Sequence, residues 1–284
     1  MNIVRYDSGA AYLREAEPFL VTNEAANCLV LGLAMQFALY PGLAAPAPFL
    51  AVVKEKDQVL AAAIMTAGAR LVLAVTESRA ALAGLAEHVA GVARTTPGVH
   101  GQTPVSRWFA DEWQRLTGDQ VRPLMSQRIY RADRITPPSG VPGVGRRASA
   151  SDRDLLIEWF TAFDLESFGT MSADTPARVD SYFEMSTRGA YLWENAGPVS
   201  LAAYSGHTLH GARVGPVYTP PAQRGRGFGS AVTAVLSQHL LDSDRQFCCL
   251  FANLANPTPN HIYQTIGYTP VCDVAEYQFS PVTA

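Results

Sequence analysis

The sequence predicts an α/β protein with two domains, and three observations support this. Its 284 residues exceed what a single hydrophobic core usually organises. A segment rich in proline and glycine, 136–145, interrupts the chain near its middle without apolar periodicity. On each side of it, strand-like and helix-like runs alternate in a similar order. We therefore predict domains at 1–135 and 146–284, joined by a linker at 136–145.

The first domain is predicted to begin with a helical region that leads into short strands. Two apolar runs flank the polar turn 54–57, which is typical of a strand hairpin. Later, Leu82, Leu85 and Val89 recur at the spacing of one helix face. The predicted elements, in chain order, are helix 10–39, strands 49–53, 59–65 and 70–75, helices 78–92 and 105–116, and strand 125–130.

The second domain is predicted to repeat this order. Ser151 and Asp152 are suited to capping a helix, and 195–197 is suited to a hairpin turn. The predicted elements are a helix over about 153–163, a short helix at 176–186, strands 191–194, 199–204 and 212–219, helix 229–241, strand 247–252, helix 258–266, and strands within 269–279. Because the two hairpins also resemble each other loosely, the sequence suggests an internal duplication.

Composition narrows the functional classes. The formal net charge is -3, with 48% hydrophobic and 17% charged residues, so we expect neither a nucleic-acid nor a membrane partner. The N-terminus lacks the apolar core of a secretory signal, and a cytoplasmic location with reduced cysteines is expected. The six histidines show no metal-ligand spacing, so no metal is predicted.

The most informative segment is a glycine-rich run between a predicted strand and a predicted helix. Glycines 225, 227 and 229 allow close approach of a ligand to the backbone, and the helix that follows presents free N–H groups suited to phosphate. A nucleotide P-loop would need Gly-Lys-Ser/Thr, which is absent from the sequence. A dinucleotide fold would place its glycine motif early in a β-α-β unit, whereas this run comes late.

Two motifs in this half resemble those of the GNAT superfamily of acyl-CoA N-acyltransferases. Arg224, Gly227 and Gly229 match the R/Q-x-x-G-x-G/A signature, between its usual strand and helix. Farther on, Asn256, Tyr263 and the pair 267–268 match an N-x₆-Y-x₃-G-F/Y element. The resemblance covers about 145–279. It implies two GNAT-like domains, each with a central, mostly antiparallel mixed sheet flanked by helices.

The resemblance also implies a cosubstrate and the roles of particular residues. Acetyl-CoA would lie in a gap beside the strand that precedes the glycine run, with pantetheine bonded to the backbone like an extra strand. Tyr263 would be the general acid that protonates the departing thiolate. The implied cofactor-binding residues are Val217, Tyr218, Thr219, Arg224, Gly225, Arg226, Gly227, Phe228, Gly229, Ser230 and Asn256.

The acceptor is expected to be a primary amine. An alkylamine with a pKa near 10.4 is protonated at neutral pH, so its proton must be removed before attack. Asp164, Glu166 and Glu194 are candidate bases by position, and the sequence does not choose among them. The first domain has no R-x-x-G-x-G run after its strand 70–75, so we interpret it as GNAT-like without a pyrophosphate loop.

Some alternatives stay open at the level of sequence. The chain is predicted to be an N-acetyltransferase, and the alternative is a non-catalytic acyl-CoA-binding sensor or interaction module. A longer acyl chain is a further option, which the depth of a pocket near 248–252 would decide. The oligomeric state is also open, with a homodimer as one option.

Overall fold

The computed structural model describes residues 1–42, 46–92 and 96–282, without the side chains of 257–259. The elements up to residue 132 are β1 (Asn2–Arg5), α1 (Gly9–Leu20), α2 (Cys28–Leu39), β2 (Phe49–Glu55), β3 (Gln58–Met65), β4 (Leu71–Leu73), α3 (Arg79–Val92), β5 (Gly98–Gln102), α4 (Val105–Thr117) and β6 (Gln120–Ala132). Those that follow are β7 (Val144–Arg147), α5 (Arg153–Phe168), α6 (Thr175–Glu184), β8 (Gly189–Glu194), β9 (Pro198–His207), β10 (Gly211–Tyr218), α7 (Phe228–Asp242), β11 (Phe247–Asn253), α8 (Pro257–Thr265) and β12 (Thr269–Ser280).

The chain divides into two compact units, and each takes segments from both halves of the sequence. The first unit comprises Met1–Ile129, Phe251–Asn256 and Pro270–Ala284, and the second comprises Tyr130–Leu250 and Pro257–Thr269. The predicted division into a domain at 1–135, a linker and a catalytic domain at 146–284 stays a prediction. Residues 136–143 contain neither helix nor strand.

In the first unit the strand order is β1-β2-β3-β4-β5-β12-β6. Pairing from β1 to β4 is antiparallel, β4 and β5 are parallel, and β12 is antiparallel to β5. One apolar cluster joins the sheet to α3 and α4, and Phe109 and Trp113 are fully buried in it. A second cluster joins the sheet to α1 and α2, around Tyr12 and Leu31. The sheet of this unit is therefore covered by helices on both faces.

The second unit has the strand order β11-β10-β9-β8-β7. Pairing from β7 to β10 is antiparallel, and β10 is parallel to β11. Helices α5 and α6 pack on one face of this sheet through Trp159, Phe160 and Val179. The units thus share one pattern, four antiparallel strands followed by a parallel strand reached through a helix. The predicted class, mixed and mostly antiparallel sheets flanked by helices, is confirmed.

Several predicted elements differ from the observed ones. The helical region predicted at 10–39 is two helices, separated by the 3₁₀ turn Val21–Asn23. Polar side chains interrupt it because they bond to the backbone: the Thr22 hydroxyl donates to Phe19 O at 2.7 Å, and Asn27 Nδ2 donates to Leu20 O at 2.9 Å. Of the cap predicted at 151–152, Asp152 is the N-cap residue of α5. Its side chain also forms a capping box with Ser149 at the start of the preceding 3₁₀ turn, Ala150–Asp152.

The hairpin predicted across 195–197 is observed, since Glu194 pairs with Pro198 and Asn195 N donates to Gly197 O at 2.8 Å. Strands β1, β5 and β7 were not predicted. Their sequences, such as Gly98–Gln102, carry charged residues, glycine or histidine in place of an alternating apolar pattern. The predicted strand 125–130 is a longer strand, β6.

Candidate active site

The strand before the glycine-rich run, β10, has an irregular course. Its parallel pairing with β11 covers Gly211 to Arg213. Its antiparallel pairing with β9 continues to Tyr218, with register shifts on both sides of Val214. Such bulges bend a strand and increase its local twist. Val217 and Tyr218 are therefore held by β9 on one side, beyond the residues at which β10 pairs with β11.

The end of β10 is fixed by side-chain contacts. The Ser200 hydroxyl donates to Tyr218 O at 3.1 Å and lies 2.8 Å from the Thr219 hydroxyl. Arg224 Nε donates to Thr219 O at 2.9 Å. Ser200 is fully buried in β9. Two backbone carbonyls at the strand end are therefore occupied, which holds the following loop in one position relative to the strand.

The glycine-rich loop has the backbone that its sequence predicts. A 3₁₀ turn, Pro221–Gln223, follows β10, and Gly225 and Gly227 then adopt φ values of 76° and 79°. A side chain would strain both positions, and at Gly227 a Cβ would also lie 2.9 Å from Val141 Cγ2. Gly227 is the N-cap of α7, and the first helical bond runs from Ala231 N to Gly227 O at 3.0 Å.

The amides at the start of α7 have no partner within the described chain. Those from Gly225 to Ser230 donate to no backbone or side-chain acceptor there, and the loop is exposed up to Gly227. The equivalent helix start in the first unit, at α3, is satisfied internally. Ser78 Oγ accepts from Ala81 N at 3.1 Å, and Thr76 Oγ1 accepts from Ser78 N at 3.0 Å.

These features fit a pyrophosphate. Unpaired amides at a helix N-terminus carry partial positive charge and bind anions. Glycine at 225 leaves the space beside the loop open, since a Cβ there would meet no atom within 4 Å. At Gly229 a Cβ would be 3.3 Å from Thr219 Oγ1, so a side chain would crowd the same surface. Arg226 is exposed, and its guanidinium carbon lies 4.7 Å from the ring centroid of Phe228.

Tyr263 lies in α8, which packs against α7. Its side chain is 8% exposed, and its ring centroid is 6.5 Å from that of Tyr130 and 6.0 Å from that of Tyr268. Burial raises the pKa of Tyr263 above its usual 10.0. Tyr268 differs, because its hydroxyl is 2.7 Å from Ser237 Oγ. Within the described residues, the Tyr263 hydroxyl makes no hydrogen bond and is held in its protonated form at neutral pH.

Asn256 lies in the turn between β11 and α8, within the segment Phe251–Asn256 of the first unit. Its backbone N donates to Asn253 O at 3.1 Å. The structure therefore brings together in the second unit Val217, Tyr218 and Thr219, the loop from Arg224 to Ser230, and the helix that carries Tyr263. The bond from Asn256 to a pantetheine arm stays a prediction.

Each of the three candidate bases is paired with an arginine. Asp164 is buried and accepts from Arg178 Nη2 at 2.7 Å. Glu194 accepts from Arg146 Nε at 2.9 Å. Glu166 accepts from Arg224 Nη2 at 2.6 and 2.9 Å. Because all three carboxylates are paired in the same way, these contacts do not identify which of them is the general base.

Two contacts of the site were not predicted from sequence. Ser200 fixes the end of β10, and its one signal is a hydroxyl within the buried run 199–203. The pair formed by Glu166 and Arg224 joins residues 58 positions apart, which no local pattern reveals. Burial, followed by the negative charge of Glu166, raises the pKa of Tyr218.

The described residues contain neither a metal-binding cluster nor a membrane-spanning helix. There, no group of three or more histidine, cysteine, aspartate or glutamate side chains is arranged to hold a metal ion. None of the helices in the described ranges is long and apolar enough to cross a membrane.

Comparison with known proteins agrees with the motifs. A family model described as FR47-like protein matches residues 195–277, which include β9 to α8 and most of β12. A search of curated protein sequences found no match. The matched segment contains the glycine-rich loop and Tyr263, and it leaves the first 194 residues uncovered.

Solved structures resemble the whole chain at low sequence identity. A tandem GNAT protein from the clavulanic acid biosynthesis pathway has a TM-score of 0.57 and 13% identity, over 100% of this chain and 99% of its own. A GNAT-family acetyltransferase from Colwellia psychrerythraea has a TM-score of 0.58 and 10% identity, over 99% and 100%. A GCN5-related N-acetyltransferase from Kribbella flavida has a TM-score of 0.56 and 17% identity, over 77% and 86%.

The fold of this chain is therefore the GNAT fold, across both halves of its sequence. The predicted resemblance to the GNAT superfamily is confirmed, and within the chain it is residues 195–277 that match the FR47-like family.

Proposed function

We propose that this protein is an N-acetyltransferase that transfers the acetyl group of acetyl-CoA to a primary amine by direct attack in a ternary complex. One observation carries the proposal: within the described part of the chain, the amides from Gly225 to Ser230 have no hydrogen-bond acceptor at the start of α7, whereas the corresponding start of α3 is capped by Ser78. The second unit carries the signature motif, and its helix α7 begins with amides that are suited to binding an anion. The same fold occurs in acetyltransferases.

The end of β10 would position the acyl group. Val217, Tyr218 and Thr219 belong to an edge whose pairing with β11 has already ended, so their backbone groups are suited to bonding an extended pantetheine arm. A backbone N–H here would stabilise negative charge that develops on the thioester oxygen during attack. Asn256 would bond to the same arm.

Tyr263 would donate a proton to the departing thiolate. Its raised pKa keeps the hydroxyl protonated at neutral pH, and its location on α8 places it beside α7. In the same step the amine nitrogen would form its bond to the acyl carbon and lose a proton to solvent or to a carboxylate. The residues of this chain would then bind acetyl-CoA, orient its acyl group and transfer one proton from Tyr263 to the thiolate.

The decisive experiment is calorimetric titration of acetyl-CoA into the wild-type protein and two variants at one position. Gly229→Asp places a carboxylate among the amides that would hold the pyrophosphate, and Gly229→Asn adds nearly the same volume without charge. Like-charge repulsion at this distance is expected to weaken binding at least about 30-fold more in the aspartate variant. Because an acidic residue stabilises the first turn of a helix, the thermal midpoint of Gly229→Asp should not fall below that of Gly229→Asn.

The outcomes separate the possible functions. Absence of acetyl-CoA binding by the wild-type protein would reject the acetyltransferase function. Binding without transfer to any amine would favour the alternative, a non-catalytic acyl-CoA-binding sensor or interaction module. Titration with butyryl- and octanoyl-CoA in the same series tests whether a longer acyl chain is preferred.

A further inference from the structure

The hydroxyl of Tyr130 is bonded to the helix that carries Tyr263. Tyr130 lies near the end of β6 and is the residue at which the second unit begins in the sequence. Its side chain is 1% exposed, and its hydroxyl donates to Asn260 Oδ1 at 2.8 Å and accepts from Gln264 Nε2 at 3.3 Å. Asn260 and Gln264 are four positions apart on α8, so one hydroxyl contacts two successive turns of this helix.

These side chains form a connected set of hydrogen bonds. Gln264 Nε2 also donates to Asn260 O at 3.0 Å, which ties the two contact points on α8 to each other. A tyrosine hydroxyl can donate one hydrogen bond and accept others, and Tyr130 uses both capacities. The orientation of α8 relative to the end of β6 is therefore fixed by polar contacts as well as by packing.

Tyr263 depends on this orientation because its own hydroxyl is not held. It directly precedes Gln264 on α8, and its ring centroid is 6.5 Å from that of Tyr130. Among the described residues its hydroxyl makes no hydrogen bond, so the direction in which it points is set by the position of the helix. In an active site a misplacement of about 1 Å can cost about 100-fold in rate.

The C-terminal end of α8 is held separately, by backbone contacts. Thr136 N donates to Ile266 O at 3.1 Å. Gly267 has a φ of 106°, and a Cβ there would lie 2.5 Å from Arg134 O, so the backbones approach closely. Because these contacts do not involve the side chain of Tyr130, a variant without its hydroxyl is expected to keep α8 in place and to orient it less precisely.

We propose that Tyr130 is a positioning residue for acetyl transfer: through Asn260 and Gln264, its hydroxyl keeps α8 oriented so that Tyr263 can protonate the departing thiolate. This inference rests on the proposed acetyltransferase function and adds to it a residue that does not touch the reacting atoms. Tyr130 lies outside both signature motifs and before the segment 145–279 that resembles the family, so no sequence pattern points to it.

The first test needs no acceptor amine and measures hydrogen exchange of the α7 and α8 amides in Tyr130→Phe and Tyr268→Phe. Both variants lose one buried hydroxyl, but that of Tyr130 is bonded to α8, whereas that of Tyr268 lies 2.7 Å from Ser237 Oγ on α7. Tyr130→Phe should speed exchange over 260–266 about fivefold and leave α7 unchanged. Tyr268→Phe should not speed exchange in α8 more than in α7. Wild-type exchange of α8 in Tyr130→Phe would refute the positioning role.

The second test measures whether Tyr130 acts through Tyr263. Released thiol is detected at saturating acetyl-CoA with propylamine, spermidine and lysine as acceptors, and the fastest of them is used for every variant. Tyr130→Phe should lower kcat about tenfold and leave the affinity for acetyl-CoA unchanged. In the Tyr263→Phe background the same substitution should lower kcat less than about twofold, because no proton donor is left to misplace. Tyr268→Phe is the matched control and should retain kcat.

The outcomes separate this inference from the proposed function. Losses of kcat that multiplied in the double variant would indicate a general structural effect and overturn the inference, as would a wild-type kcat in Tyr130→Phe. Weaker binding of acetyl-CoA by Tyr130→Phe would also overturn it, since the hydroxyl would then support the cofactor site. A wild-type protein that failed to bind acetyl-CoA, or bound it without transfer to any of the amines, would count against the proposed function and against this inference with it.

Discussion

At the scale of single residues, two buried tyrosines five positions apart have different roles. The Tyr268 hydroxyl is engaged by Ser237, whereas the Tyr263 hydroxyl makes no hydrogen bond among the described residues. The sequence predicted the importance of Tyr263 through its motif. It could not distinguish the two hydroxyls, because the partner Ser237 belongs to another helix.

Tyr263→Phe is therefore expected to lower kcat about 100-fold, the low end for loss of a general acid, since a thiol leaves fairly well unaided. The affinity for acetyl-CoA should be unchanged. Steady-state kinetics with calorimetry checks both quantities, with Tyr268→Phe as the matched control that should retain kcat and lose stability. Equal kcat values for Tyr263→Phe and the wild-type protein would contradict the assignment.

At the scale of elements, the 3₁₀ turn Ala150–Asp152 that leads into α5 begins with an ionic capping box. Asp152 accepts from Ser149 N at 2.8 Å and from Arg146 Nη1 and Nη2 at 2.7 and 2.8 Å. The Arg146 contacts, and then those from Ser149, lower the pKa of Asp152 from 3.8 to about 2. A lowered carboxyl pKa stabilises the fold above the unfolded value, and this contribution is lost as pH falls from 3.8 towards 2.

Asp152→Asn should accordingly lower the free energy of unfolding at pH 7 by about 2 kcal/mol. The difference from the wild-type protein should narrow below pH 4. Urea unfolding at pH 7, 5 and 3 checks this expectation, and a difference that stayed constant over this range would contradict it.

Two glycines of the first unit give opposite predictions for the same substitution. A Cβ on Gly9, at the start of α1, would lie 2.5 Å from Ala38 N in α2. At Gly84, within α3, a Cβ would meet no atom within 4 Å. We expect Gly9→Ala to cost about 1–3 kcal/mol by overpacking and Gly84→Ala to add about 0.5–1 kcal/mol through helix propensity. Thermal unfolding that moved both midpoints in one direction would refute this packing.

Element prediction succeeded where the signal was local. The 195–197 turn, the strand before the glycine run and the helix after it all depend on neighbouring residues, and they occur within one or two positions of their predicted bounds. It failed at β5, Gly98–Gln102, whose short sequence contains two glycines and a histidine. The strand forms because β4 and β12 bond to it from either side, and neither partner is visible in the local pattern.

At the scale of the whole molecule, the pairing of distant segments could not be read from the sequence. The predicted fold class, with GNAT-like architecture in both parts of the chain, is confirmed, although the motifs themselves lie only in the second half. They did not reveal that β12 pairs with β5, where Phe279 stacks on Trp113 at a ring separation of 5.0 Å. The side chains of His100 and Glu276 also meet across this pair at 3.3 Å. Pairing between strands so far apart in the sequence becomes visible only once the sheet has formed.

Removal of residues 270–284 should therefore disrupt the first unit. It would remove the strand between β5 and β6, open a sheet edge and uncover Trp113. We expect aggregation or a marked loss of thermal stability, measured by size-exclusion chromatography and calorimetry against a control that lacks only 281–284. A soluble monomer with the wild-type midpoint would contradict the role of β12.

The position of β12 has a consequence for synthesis on the ribosome. His100 and Glu276 are 176 positions apart, so at about 5–20 residues per second the first unit waits about 10–35 s for its missing strand. Over that interval the nascent chain carries an open sheet edge while its remaining residues are translated. A silent codon change that slowed translation late in the gene would lengthen this exposure and lower the yield of folded protein, without altering a single amino acid.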